Sequence, residues 1–76
     1  MQTMNSKILL VDDEKDISDL IEEALLQDNF VNIRKAYTGM EAVQICREYQ
    51  PDVIVLDIML PDIDGIEVCK QIREFS

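Results

Sequence analysis

Three observations predict an α/β fold in which a parallel sheet carries helices on both faces. Short aliphatic runs alternate along the chain with longer segments of helical periodicity. Two of those runs, Ile8-Leu9-Leu10-Val11 and Val53-Ile54-Val55-Leu56, are apolar at every position, as strands covered on both sides are. The chain has 76 residues, 47% hydrophobic and 30% charged, which is enough for one domain with a small core and no more.

Taken in order, the polar residues 1–6 read as a flexible N-terminal tail, with the domain proper at 7–76. The first strand is the aliphatic run at 8–11. The first helix follows, where Ile17, Leu20, Ile21, Ala24 and Leu25 keep i, i+3, i+4, i+7, i+8 spacing and form one apolar stripe. Asp19, Glu22 and Glu23 fall on its other side. Residues 31–36 alternate weakly and suit an edge strand. Thr38-Gly39-Met40-Glu41 has the form of a capping box, and opens a second helix whose buried face is Ala42, Val43 and Cys46. Pro51 ends that helix and leads into the third strand. A third helix is expected from near Asp64, with Glu67 three residues on and Ile66, Cys69 and Ile72 buried. A β-α-β-α-β-α order implies right-handed crossovers and parallel strands.

Composition excludes several function classes. Seven basic and 16 acidic residues give a formal charge of −9, which argues against direct binding of nucleic acid or of an anionic membrane by this segment. No apolar run approaches a membrane span or a signal-peptide core, so a cytoplasmic location is expected. Cys46 and Cys69 are far apart, and the chain has no histidine to join them at a zinc ion. Both read as reduced packing residues.

Two places break the apolar pattern, each at the C-terminal end of a strand. Asp12 and Asp13 follow the first strand, and Asp57 follows the third. In open α/β sheets, ligands bind outside these ends, where the strand order reverses. In the flavodoxin-like order 2-1-3, the first and third strands are neighbours about 4.8 Å apart, so the three carboxylates would share one crevice. Three anions so close repel unless a cation compensates, and an all-oxygen donor set suits Mg²⁺. Such a cation could also neutralise phosphoryl oxygens and leave one carboxylate as nucleophile. Against this stands a plainer reading: Asp12 or Asp13 caps the first helix, and Asp57 merely ends a strand. Near Asp62-Ile63-Asp64-Gly65, a calcium loop would put its end ligands on Leu60 and Gln71, which do not fit. No glycine-rich phosphate loop is present.

Lys7-Ile8-Leu9-Leu10-Val11-Asp12-Asp13-Glu14 resembles the opening of the receiver domain of bacterial two-component response regulators, the CheY-like family. The segment from Pro51 to Gly65, with Leu56-Asp57-Ile58-Met59-Leu60-Pro61-Asp62 at its centre, is similar to that family's phosphoacceptor region. Thr38-Gly39 followed by Glu41-Ala42 matches its second helix. The resemblance implies a phosphoprotein of a phosphorelay, in which Asp57 accepts a phosphoryl group from a sensor histidine kinase. It implies Mg²⁺ bound by Asp13 and Asp57, by Asp12 through water, and by the backbone carbonyl of Met59. The Leu60-Pro61-Asp62 turn is similar to that of regulators of transcription, whose DNA-binding output domain would lie outside this segment. A complete receiver has five βα units, and this sequence carries three. The fourth-strand Ser or Thr and the fifth-strand Lys that contact the phosphoryl group therefore have no counterpart here. Two further expectations follow. The third strand presents an apolar edge through which a homodimer could form, by edge pairing or by exchanged elements. The alternative function is a receiver segment that is not phosphorylated and serves as a Mg²⁺-binding or protein-interaction module.

Overall fold

The aliphatic run at residues 8–11 becomes the middle of a three-stranded parallel sheet with order β2-β1-β3. The structure, a computed structural model, describes residues 4–57, 60, 62 and 65–74. Its elements are β1 (Met4–Val11), α1 (Lys15–Gln27), β2 (Phe30–Ala36), α2 (Gly39–Tyr49), β3 (Val53–Leu56) and α3 (Gly65–Arg73). In register, Leu9 lies between Arg34 on β2 and Ile54 on β3, and Val11 between Ala36 and Leu56. The expected class, strand order and parallel pairing are all present.

Strand alternation divides the apolar residues between two faces. Leu9, Val11 and Ala36 face α2 and α3, and with Ala42, Val43, Cys46 and Val68 they form the core cluster, which Ile54 and Leu56 join partly buried. Ile8 and Leu10 face the other way, toward α1, and are also buried. Lys35, next to Ala36 and so on the α1 face, reaches Asp19 at 2.5 Å and Glu22 at 2.8 Å. These two carboxylates hold its ammonium well above the usual lysine range, through hydrogen bonds first and charge second.

The elements depart from expectation in three places, one at a strand end and two in the residues a helix buries. β1 begins at Met4, not Ile8, because Met4 donates its N–H to Asn29 O at 2.7 Å and pairs with Phe30 across an irregularity in the ladder. Residues 4–6 are thus strand rather than tail. Pro51 leads into β3 as expected, and the strand runs over Val53–Leu56. Gln50 turns left-handed at φ 52°, and Asp52 then fastens the chain to β1 by donating to Lys7 O and accepting from Lys7 N, both at 2.8 Å. On α1 the fully buried position is Ser18, while Ile17 and Leu20 are 42% and 66% exposed. The helix packs over β1 and β2, so the flank carrying those two residues overhangs the β3 side. On α3, Val68 is buried, Ile72 half-buried, and Ile66 and Cys69 exposed. Gly65 and Val68 dock this short helix against α2, a rotation that carries Ile66 outward. Asp64 lies outside the described residues.

Candidate functional site

The site is built where β1 and β3 end side by side. Asp12 donates its N–H to Ala36 O at 3.1 Å, and Asp57 donates its own to Val11 O at 2.8 Å. Each aspartate is therefore locked to the strand beside it as the ladder runs out. The sequence turns acidic at this point, and the parallel register makes the two acidic points neighbours.

One carboxylate oxygen from each of Asp12, Asp13 and Asp57 lies within 4.8 Å of the others. Asp12 and Asp57 are half-buried, while Asp13 is exposed. The helix-capping alternative is realised only in part. Glu14 is the N-cap of α1 without a side-chain cap bond, and Asp12 Oδ1 accepts the Glu14 N–H at 3.0 Å. Asp12 thus shapes the turn into α1 while its carboxylate stays within the acidic group.

The donor set can be tested against Mg²⁺. Oxygens about 2.1 Å from one octahedral ion lie about 3 Å apart at adjacent positions and about 4.2 Å apart at opposite ones. A group spread over as much as 4.8 Å fits after a small contraction, or with one aspartate bound through water. Three carboxylates also balance the charge of a divalent cation with anionic excess to spare. Met59, whose backbone carbonyl the resemblance adds to the ligands, lies outside the described residues.

Beside the triad, a cleft of about 330 Å³ opens between α1 and β3, lined by Leu10, Ile17, Ser18, Val55 and Asp57 among others. The hydroxyl of Ser18 is buried there without a hydrogen-bond partner. Sequence reading missed this serine because it lies inside an otherwise apolar stripe. It also missed the placement of Asp62. That carboxylate accepts the N–H of Gly39 at 2.7 Å and of Met40 at 2.9 Å, at the start of α2. The partners are 23 and 22 residues away, beyond any local signal. The expected capping box is present in its first half: Thr38 Oγ1 accepts from Glu41 N at 3.2 Å, while Glu41 Oε1 accepts from the Tyr37 N–H, one residue before the N-cap, at 3.4 Å.

Among the described residues, no helix is long and apolar enough to cross a membrane. Comparison with known proteins places this architecture. Residues 8–76 match the family described as response regulator receiver domain. The CheX–CheY–BeF3–Mg²⁺ complex from Borrelia burgdorferi has a similar chain, with 30% identity and a TM-score of 0.88, covering 93% of this chain and 55% of that one. The response regulator domain of Thermotoga maritima CheB gives 31% and 0.81, over 93% and 54%. The Saccharomyces cerevisiae co-crystal of the histidine phosphotransfer protein Ypd1 with the receiver domain of its downstream response regulator Ssk1 gives 33% and 0.81, over 99% and 51%. The chain spans about half the length of the structures it matches. With its match running from the first aliphatic strand onward, this chain belongs to the response regulator receiver domain family.

Proposed function

We propose that residues 7–76 are the first part of a phosphoacceptor receiver, with Asp57 as acceptor and Asp12, Asp13 and Asp57 as the Mg²⁺ site. The observation that carries this reading is the convergence of the three carboxylates at the paired ends of β1 and β3. In the reaction, an Asp57 carboxylate oxygen attacks the phosphorus of a phosphohistidine on a sensor kinase. A P–O bond forms, the P–N bond breaks, and the imidazole nitrogen leaves with the electron pair and takes a proton. Mg²⁺, when bound, neutralises the phosphoryl oxygens as negative charge crowds the site. The chain's own contribution is positional. Two main-chain hydrogen bonds hold Asp12 and Asp57 at the strand ends, and Asp13 stays open to solvent where a donor can approach. This makes the chain a signalling acceptor rather than a turnover enzyme, working in the cytoplasm where a kinase would meet it. The Borrelia complex contains Mg²⁺ and BeF3, and the yeast complex pairs a receiver with a histidine phosphotransfer protein. Both support the reading.

Intact-mass spectrometry after incubation with Mg²⁺ and acetyl phosphate tests it. One phosphoryl adduct, absent from an Asp57→Asn variant, is expected. A folded chain that gains none, or an adduct that survives in the variant, contradicts the assignment.

A second reading, an interaction module, is favoured by the margin of β3, where Val53 and Val55 are 49% and 38% exposed. Exposed apolar strand edges pair readily with further strands, and a homodimer through this edge is the simplest form of that reading.

A further inference from the structure

The N-terminus of α2 leaves the N–H groups of Gly39, Met40 and Glu41 without partners inside the helix. That of Glu41 is taken locally by Thr38 Oγ1, and Ala42 begins the regular ladder by donating to Thr38 O at 3.1 Å. The other two are taken by Asp62, one by each oxygen of its carboxylate. A carboxylate there makes charge-assisted hydrogen bonds and sits at the positive end of the helix dipole.

Asp62 is not the only cap of α2. Thr38 already caps it, and the Met40 N–H lies near solvent. What Asp62 adds is a fixed distance between α2 and the chain that has just left Asp57. Asp62 comes five residues after Asp57 (62 − 57). Leu60, between them, packs against the core cluster, and Asp57 is itself bonded to Val11. Asp57, Leu60 and Asp62 each have an anchor of their own, and Asp62 is the outermost of the three.

We infer that Asp62 is a positioning residue for the acidic site: by clamping the exit from β3 to the N-terminus of α2, it fixes how the Asp57 carboxylate faces Asp12 and Asp13. The inference rests on reading those three carboxylates as the Mg²⁺ site. Asp62 is not one of the grouped carboxylates. Linkage makes the effect reciprocal, so Mg²⁺ at the triad tightens the clamp.

The test compares Asp62→Ala, Asp62→Asn and Thr38→Ala in the full 76-residue chain, with Mg²⁺ affinity read from NMR shifts. Asp62→Ala is expected to weaken Mg²⁺ binding about tenfold, as loss of outer partners does at metal sites, and Asp62→Asn by less. Thr38→Ala, which loosens the same helix end without releasing Asp62, leaves affinity within about twofold of the parent, well short of that outer-partner effect. In the unaltered chain, Mg²⁺ slows amide exchange at Gly39 and Met40, a readout that needs no variant to fold. Equal losses in the Asp62 and Thr38 variants, unchanged affinity in Asp62→Ala, or exchange indifferent to Mg²⁺ would each overturn the inference alone. No Mg²⁺ binding by the unaltered chain would overturn the triad reading, and the inference with it.

Discussion

On the α2/α3 face of the sheet, Leu9, Val11, Ala36 and Val68 are all but sealed from solvent, whereas on the α1 face Val53 and Val55 of β3 stand open and Ile17 and Leu20 overhang them. Residues 8–11 of β1 and 53–56 of β3 are aliphatic throughout, so both faces are apolar there. Two helices cover the first face from β2 across to β3. The single helix on the second reaches over β1 and β2. An apolar strand therefore records a demand for cover, and the helices present decide where it is met. The acidic triad lies at the end of the less covered face, where Asp57 lines the cleft together with Val55, Ile17 and Ser18.

The largest effect expected from this contrast is in the core. Leu9→Ala should lower stability by about 2–5 kcal/mol, since a fully buried leucine leaves both lost transfer energy and a cavity. Leu20→Ala, on the overhanging flank, should change it by no more than about 0.5 kcal/mol. Denaturant titration of the two variants checks the pair, and comparable losses would mean that the faces are equally packed. Next comes the open margin. If β3 pairs between copies, light scattering shows a dimer that Val55→Lys abolishes. A monodisperse monomer at micromolar concentration counts against pairing.

A smaller effect concerns alkaline pH. Burial pushes the Cys46 thiol above its ordinary value of 9.0, and Asp19 and Glu22 push Lys35 above 10.5. In both cases the folded chain keeps its proton longer than the unfolded chain does. The stability involved is complete below the unfolded values and is lost as pH rises, first past 9.0 and then past 10.5. Denaturation midpoints followed from neutral to strongly alkaline pH should fall in that order. Cys46→Ala should flatten the first part of the decline and Lys35→Met the second.

Much of this was legible in the chain itself. Aliphatic runs marked β1 and β3, helical spacing marked α1, and the Thr38-Glu41 pair marked the start of α2, because each is a local pattern with one physical cause. The aspartates were found because carboxylates directly after aliphatic strands conflict with burial. What was hidden depends on tertiary placement. The outward turn of Ile66 and Cys69 follows from how α3 docks through Gly65 and Val68, and periodicity fixes a stripe without saying which edge of it faces in. Ser18 is buried because α1 seats on that position, against its own polarity. Asp62 meets α2 across more than twenty residues, a contact made by the fold rather than by sequence spacing.

The central claim is that Asp12, Asp13 and Asp57 form a single divalent-cation site. A Mg²⁺ titration followed by ¹⁵N NMR, run beside an Asp13→Asn variant, tests it most directly. The account predicts saturable shifts concentrated at the amides of Asp12, Asp13 and Asp57, with clearly weaker binding in the variant. A folded chain whose shifts are absent, spread evenly over its many acidic residues, or unchanged by Asp13→Asn would contradict it.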